Sequence, residues 1–294
     1  MKDSFCRLHP IVEIIYFAAV ISFSMFIMNP VCLVISLLCS LTNAIQLNGR
    51  RTVFFGLKFI LPTAVLLMLI NPIVNHAGTT ILTYLPWDNP LTLEAIIYGI
   101  ASAVMLSSVV FWFSSFNTAM TSDKLVYLFG RIAPSLGLLL SMALRFVPRF
   151  TEQFREVRAS QKLSGSEKSG FYEKLKSALR VISVMLTYSL EGSIETADSM
   201  KARGYGLKGR TAYSAYRFTK RDVLILALTA CITAALITLK LCGAAKYRYF
   251  PSVKGEILGQ ESIVFYILYA ALMIMPFVIN TGEGIRWKHL QSAI

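Results

Sequence analysis

The sequence predicts an all-α integral membrane protein with about six transmembrane helices and a pair of long helices on the cytoplasmic side. Three observations support this prediction. Apolar residues make up 55% of the 294 residues, and the mean hydropathy of +0.59 is too high for an ordinary soluble domain. Several apolar runs approach or reach the roughly 20 residues that cross a bilayer. The net charge of +13 is concentrated in one section of the chain.

The first region, residues 1–116, contains four apolar runs that we interpret as four membrane spans. They cover residues 11–28, 31–45, 52–74 and 91–115. Basic residues precede the first run and follow the second, whereas the connection after the third run has no Lys or Arg. Because basic connections stay in the cytoplasm, the amino terminus is expected to be cytoplasmic.

The second region, residues 117–221, does not have the pattern of ordinary spans. Its apolar run of residues 134–147 is short for a crossing, and Pro148 is expected to kink the helix or to start a new one. An amphipathic run over residues 149–162 follows, and a short polar connector leads to a long run over residues 171–203. Short connectors favour antiparallel helix pairs. The long run carries an apolar stripe at spacings of three and four, formed by Leu175, Leu179, Ile182, Met185 and Leu186.

The long run ends in Ala202-Arg203-Gly204, where Gly204 is placed to adopt the left-handed conformation that ends many helices. The helix dipole stabilises a cation on the last turn by roughly 0.3–1 kcal/mol, which is a sufficient reason for one arginine. The helix dipole does not explain the many other basic residues nearby. Residues 145–221 contain 16 Lys and Arg against 7 Asp and Glu, a net charge of +9. A segment this basic can bind either acidic protein surfaces or the anionic inner leaflet of the membrane.

The third region, residues 222–294, contains two further predicted spans at residues 223–242 and 262–279. Basic residues follow the last span, which agrees with a cytoplasmic carboxyl terminus. Lys246, Arg248 and Lys254 lie between the two spans and therefore on the outer side, against the expectation that basic residues stay inside.

Residue types that carry chemistry are scattered in this sequence. The five cysteines form no Cys-x-x-Cys pair and the three histidines are isolated, so we predict no metal site and assign no catalytic residue. No GxxxxGK[ST] loop occurs, so we expect no ATP hydrolysis by this chain and no bound cofactor. The basic section adjoins membrane spans and matches no recognised module, which disfavours nucleic-acid binding. Glu13 and Glu94 lie near the ends of predicted spans, where a carboxylate can reach the interface.

Four stretches resemble the transmembrane coupling subunit, or T component, of energy-coupling factor (ECF) type ABC transporters, the EcfT/CbiQ family. They are Leu8-His9-Pro10, Asn71-Pro72-Ile73-Val74-Asn75-His76-Ala77-Gly78, Arg145-Phe146-Val147-Pro148 and Met200-Lys201-Ala202-Arg203-Gly204. The resemblance covers about two thirds of the chain. It implies a multi-pass cell-membrane protein that joins two cytoplasmic ABC ATPase subunits to a substrate-binding membrane subunit, the S component, for uptake of a vitamin or metal ion.

The resemblance also implies two ATPase-coupling tips, because family members usually carry Ala-Arg-Gly at the end of each coupling helix. One tip is Ala202-Arg203-Gly204. The other falls on Leu163-Ser164-Gly165, where the glycine is retained and Ser164 replaces the arginine. Either Lys162 or Arg158 supplies the missing charge, or that contact has been rebuilt, or the ATPase pair is asymmetric.

Two other classes of function fit the sequence less well. A self-contained secondary transporter or permease would need ionisable residues in mid-span, and apart from the glutamates near span ends the sequence has almost none. A membrane-embedded enzyme would need clustered His, Asp or Cys residues, which the sequence lacks.

Overall fold

The computed structural model of the protein describes residues 5–75, 77–84, 90–163, 170–207, 216–255 and 259–292. These residues are mostly helical, which confirms the predicted all-α class. The chain divides into two compact units. Residues 1–122 and 216–294 form one, which we call the membrane unit, and residues 123–215 form the other, which we call the hairpin unit.

Within its described residues, the membrane unit has five apolar helical segments long enough to cross a bilayer and one shorter apolar helix. The five are α2 (Pro30–Asn48), the segment Thr52–Val74, α5 (Leu93–Ala119), α9 (Lys220–Leu241) and the Gln260–Ile285 part of α10 (Gln260–Ser292). The shorter helix is α1 (Pro10–Phe26), with 17 residues. All six predicted spans are therefore found as helices, and α10 extends well beyond the predicted last span.

The segment Thr52–Val74 is not a uniform α-helix. It is built from α3 (Arg50–Phe55), a π-helical turn (Gly56–Ile60) and α4 (Leu61–Val74). Pro62 is the second residue of α4, two residues after the π-helical turn ends, and it has no N–H to continue the regular hydrogen-bond pattern. The π-helical turn therefore lies just before the position at which the α-helical hydrogen-bond pattern is interrupted.

Polar caps explain where three of the helices begin. His9 accepts a hydrogen bond from the Ile11 N–H through Nδ1 (3.3 Å), and Pro10 is the first residue of α1. Asn29 caps α2 in the same way. Thr219 and Asp222 form a capping box at the start of α9. These local signals fix the helix starts within three residues of the starts of the apolar runs.

The core of the membrane unit is formed by α1, α2, α5, α9 and α10, and a buried serine connects the first three of these helices. The Ser36 hydroxyl on α2 bonds to Ser24 on α1 (2.9 Å) and to Ser108 on α5. It also accepts from the indole N–H of Trp112 at 3.4 Å, and all four side chains are buried. Small polar residues of this kind stabilise contacts between helices in a membrane, where no water competes for the hydrogen bonds.

Two small antiparallel sheets occur in the connections and were not predicted. β1 (Ile81–Tyr84) pairs with β2 (Pro90–Thr92) before α5. β3 (Tyr247–Arg248) pairs with β4 (Lys254–Gly255) between α9 and α10. Each pairing is too short to show a recognisable alternation of polar and apolar residues in the sequence.

The hairpin unit contains α7 (Pro134–Leu163) and α8 (Phe171–Ala202), preceded by α6 (Ser122–Ile132). Pro148 lies inside α7, so of the two predicted alternatives, a kink or a new helix, the new helix is excluded. The corner between α6 and α7 is very tight, because the backbones of Gly130 and Gly137 touch: a Cβ atom on Gly137 would lie 2.3 Å from the Gly130 Cα.

The start of α9 is tied to the start of α1 by Asp222, which is 3% exposed. Its Oδ1 accepts from the His9 N–H (3.2 Å), and its Oδ2 accepts from the Thr219 N–H (2.9 Å). The His9 ring stacks on Phe218 with centroids 3.8 Å apart. Both helices therefore begin at the same end of the membrane unit.

We expect Asp222→Asn to destabilise this junction by about 1–3 kcal/mol, because an amide offers one acceptor oxygen where the carboxylate offers two. Thermal unfolding of the purified protein in detergent measures the effect. Asp123→Asn is the matched control, since Asp123 is exposed in the first turn of α6 and should be nearly neutral. An unchanged melting temperature in Asp222→Asn would contradict the proposed role of this junction.

Candidate coupling site

A left-handed glycine closes the carboxyl end of α8, a helix of 32 residues and so about 48 Å long. Gly204 has a φ of +81°. Its N–H donates to the Lys201 carbonyl (2.9 Å), and the Tyr205 N–H donates to the Met200 carbonyl (3.0 Å). This pair of bonds is a Schellman cap, which satisfies the last carbonyls of the helix. The predicted conformation of Gly204 is confirmed.

Arg203 lies at the point where α8 ends, and its backbone N–H still donates to the Ser199 carbonyl (3.2 Å). The side chains of Ala202 and Arg203 are exposed. Among the residues that the structure describes, the Arg203 guanidinium forms no ion pair. A rigid backbone cap therefore presents a guanidinium whose fork of N–H donors matches a carboxylate.

The chain turns sharply just after the cap. Gly206 also has a positive φ, +94°, and the Leu207 N–H donates to the Gly204 carbonyl at 3.2 Å. Leu207 contacts Gly204 closely, since a Cβ there would lie 3.1 Å from the Leu207 Cδ1. Leu207 is itself 72% exposed. The tip is thus a compact turn that places an apolar residue next to the arginine.

Of the second predicted tip, the structure describes only the first residue, Leu163. Leu163 is the last residue of α7 and is 90% exposed. Ser164 and Gly165 lie outside the described residues, so their role in ATPase coupling stays a prediction. Arg158, a candidate for the missing charge, is exposed one turn before the end of α7.

The two long helices pack against each other in opposite directions, as predicted. The Ser177 hydroxyl donates to Gln161 Oε1 at 3.0 Å, which places the end of α7 beside the first part of α8. Phe150, earlier in α7, lines a cavity of about 420 Å³ together with Leu186, which is later in α8. At 1.5 Å per residue, the distance along α8 from Ser177 to Gly204 is about 40 Å. The structure therefore places the ends of α7 and α8 at opposite ends of the hairpin unit.

The predicted apolar stripe of α8 is mostly left uncovered by the described residues. Four of its members are between 50% and 59% exposed: Leu175, Leu179, Ile182 and Leu186. The same face continues to Leu190 and Ile194, which are 67% and 66% exposed and which the sequence analysis missed although their spacing is helical. Val181, on another face, is buried instead. An apolar face of this length is typical of an interaction surface.

Glu13 and Glu94 lie in the first turns of α1 and α5, near helix ends as predicted, and both side chains are buried within the protein. Glu13 is fully buried and Glu94 is 3% exposed. Glu94 accepts hydrogen bonds from the hydroxyls of Thr79 (3.1 Å) and Thr80 (2.7 Å), so it anchors the loop before β1 to the start of α5. In the described part of the chain, no group of three or more His, Cys, Asp or Glu residues could hold a metal ion.

The sequence matches one protein family over both predicted tips. A model of the CbiQ family, described as cobalt transport protein, matches residues 1–213. The energy-coupling factor transporter transmembrane protein EcfT of Bacillus selenitireducens is 24% identical over 251 residues, which is 81% of this chain and 93% of that protein. EcfT 1 of Listeria monocytogenes is 23% identical over 215 residues, or 67% of this chain and 79% of that protein.

A relative with a different name aligns over a similar length. A putative ABC transporter ATP-binding protein of Bifidobacterium longum is 29% identical over 252 residues, which is 79% of this chain. The match covers 31% of that protein, so the chain spans about a third of this relative's length.

Proposed function

This chain belongs to the CbiQ family and is a transmembrane component of the energy-coupling factor type, and we propose that it couples ATP hydrolysis by two cytoplasmic ATPase subunits to uptake of a micronutrient. The arrangement of the hairpin unit carries the proposal. Its two long helices run in opposite directions, and their carboxyl ends lie about 40 Å apart. Two helix ends this far apart can each contact one of two ATPase subunits. A single tip could contact only one.

The contact that we propose at each motor subunit is a helix end inserted into an acidic groove. At the described end, Arg203 pairs with a carboxylate of the ATPase, while Gly204 lets the partner backbone approach closely. The Schellman cap keeps the arginine fixed relative to the helix, so a displacement of the groove displaces all of α8. The same role is proposed for Leu163, Ser164 and Gly165 at the end of α7.

A second partner is needed to cover the apolar face of α8. We propose that the substrate-binding membrane subunit, the S component, docks there, because the face from Leu175 to Ile194 is apolar over about 28 Å of helix. Substrate selection then belongs to the partner, and the vitamin or metal ion is chosen by that subunit. With basic connections inside, both termini of this chain lie in the cytoplasm, where the ATPases are.

The Bifidobacterium longum relative supports an ATPase partner. It is named an ATP-binding protein, and a region similar to this chain makes up about a third of it. A polypeptide that joins such a region to an ATP-binding function is expected where the two act together. This chain would obtain the same function from separate subunits.

Affinity purification of the tagged protein from its native host tests the proposal. Two ATPases with phosphate-binding loops should copurify, together with a small membrane protein as the S component. Uptake by liposomes should require all of these subunits. A protein that purifies alone and transports a solute in liposomes without ATP would instead be a permease, and the coupling function would be refuted.

Ser164→Arg tests the second tip separately. We expect this change to be tolerated or to increase ATPase copurification, because it restores the residue that the family usually has at this position. Quantitative mass spectrometry of the purified complex gives the ATPase content. Lys174→Arg, which keeps the charge of an exposed residue near the start of α8, is the control. A clear loss of ATPase in Ser164→Arg would mean that the contact has been rebuilt around a small residue.

A further inference from the structure

A groove runs between α1 and α9 on the surface of the membrane unit, apart from the proposed coupling site. Its volume is about 380 Å³. Ile15, Ala19 and Phe26 line it from α1, and Ile237, Lys240 and Leu241 line it from α9. Phe26 and Leu241 are each 81% exposed at the ends of their helices. The groove is therefore open toward the surroundings of the helices, which in a membrane are lipids.

The groove reaches the ends of α1 and α9 that lie away from the junction between His9 and Asp222. α1 and α9 start together, because the His9 N–H bonds to Asp222, and they run side by side from there. The 22 residues of α9 rise by about 33 Å, enough to cross the hydrocarbon core. Lys240 is in the last turn of α9. Its ammonium group consequently lies near the far headgroup level, and the apolar part of the groove lies below it.

Lys240 is the charged residue of this lining, and it is half-buried. It forms no ion pair with any residue that the structure describes. The carboxyl end of α9 compensates part of its charge through the helix dipole. A half-buried ammonium group beside apolar side chains still favours an anionic neighbour, because burial removes part of its hydration.

We propose that this groove is a binding site for one anionic phospholipid of the far leaflet. An acyl chain lies along Ile15, Ala19 and Ile237, and the lipid phosphate pairs with Lys240. Charge complementarity favours this occupant, since the groove is apolar along its length and positive where the helices end, which is the order of chain and phosphate in a phospholipid. An apolar helix of a partner protein would cover the groove but leave the lysine without a counter-charge.

The same proposal explains why the connection between α9 and α10 is basic although the positive-inside rule predicts few basic residues there. Lys246, Arg248 and Lys254 follow Lys240 in the connection between α9 and α10. Lys246 Nζ lies close to Gly243, just beyond the end of α9, where a Cβ atom would be 3.0 Å from it. These charges raise the positive potential at the headgroup level and so favour an anionic over a neutral lipid.

Native mass spectrometry of the full chain tests the proposal. The detergent-purified protein is delipidated and then incubated with phosphatidylglycerol or phosphatidylcholine of identical acyl chains. We expect one retained phosphatidylglycerol molecule, and about a fivefold reduction in Lys240→Gln, the factor expected for one basic residue near an anionic headgroup. Lys220→Gln removes the same charge at the other end of α9 and should leave retention unchanged.

A second pair of variants tests the shape of the groove. Ala19→Leu should fill it and reduce retention of both lipids, whereas Ala18→Leu, at an exposed neighbouring position outside the lining, should not. Should Lys240→Gln fail to fold, Lys240→Arg must still prefer phosphatidylglycerol. Equal retention of the two lipids by the unaltered protein, equal losses in Lys220→Gln and Lys240→Gln, or unchanged binding in Ala19→Leu would overturn the proposal. None of these outcomes bears on ATPase copurification, so the two proposals fail independently.

Discussion

Replacing Arg203 with glutamate is expected to abolish ATP-dependent uptake while the protein still folds and inserts. The side chain is exposed, and the cap around it is made by backbone hydrogen bonds of Gly204 and Tyr205, so folding does not depend on the guanidinium. In the proposed complex a carboxylate would face a carboxylate, and losses of about 2–5 kcal/mol are typical when one member of such a pair is removed. ATPase copurification should fall by more than about tenfold, since each 1.4 kcal/mol is tenfold in affinity.

Two further variants distinguish the effect of the guanidinium's two-bond hydrogen-bonding geometry from the effect of its positive charge. Arg203→Lys keeps the charge and loses the two-bond geometry, so we expect an intermediate loss of copurification. Lys201→Glu changes the net charge of the same helix end by the same amount and should retain most of the activity. The assignment of the coupling site to Arg203 would be wrong if Arg203→Glu supported full uptake, or if Lys201→Glu reduced uptake by as much.

Gly137→Ala is expected to disrupt the corner that joins α6 to α7. The added Cβ would lie 2.3 Å from the Gly130 Cα and 2.9 Å from its nitrogen, and a backbone cannot yield as a flexible side chain can. Overpacking of this kind typically costs about 1–3 kcal/mol. We expect a lower melting temperature and, because α7 would start in a different direction, reduced uptake in cells that depend on the transporter.

Gly192→Ala provides the matched control for this change. Gly192 lies inside α8, and a Cβ there would meet no atom within 4 Å. Alanine in a helix interior is favoured over glycine by roughly 0.5–1 kcal/mol, so this variant should be as stable as the unaltered protein or more so. An unchanged melting temperature in Gly137→Ala would show that the corner can open at little cost.

Much of the fold could be predicted because its causes are local. Apolar runs of bilayer length and the glycine that ends α8 act over a few neighbouring residues, and each is found where it was predicted. For Pro148 the sequence left two alternatives, a kink or a new helix, because a proline is compatible with the interior of a long helix when the surrounding turns are maintained by packing. Sequence alone does not reveal that packing.

For the candidate site, the sequence determined that Ala202-Arg203-Gly204 would end a long helix, since a left-handed glycine and an apolar periodicity are properties of the chain itself. Only the tertiary structure decided which face of α8 is covered. The pairing of Ser177 with Gln161 sets the register of the hairpin, and that register leaves the apolar stripe exposed. Contacts between residues distant in sequence depend on the simultaneous fit of many side chains, and for that reason no local pattern specifies them.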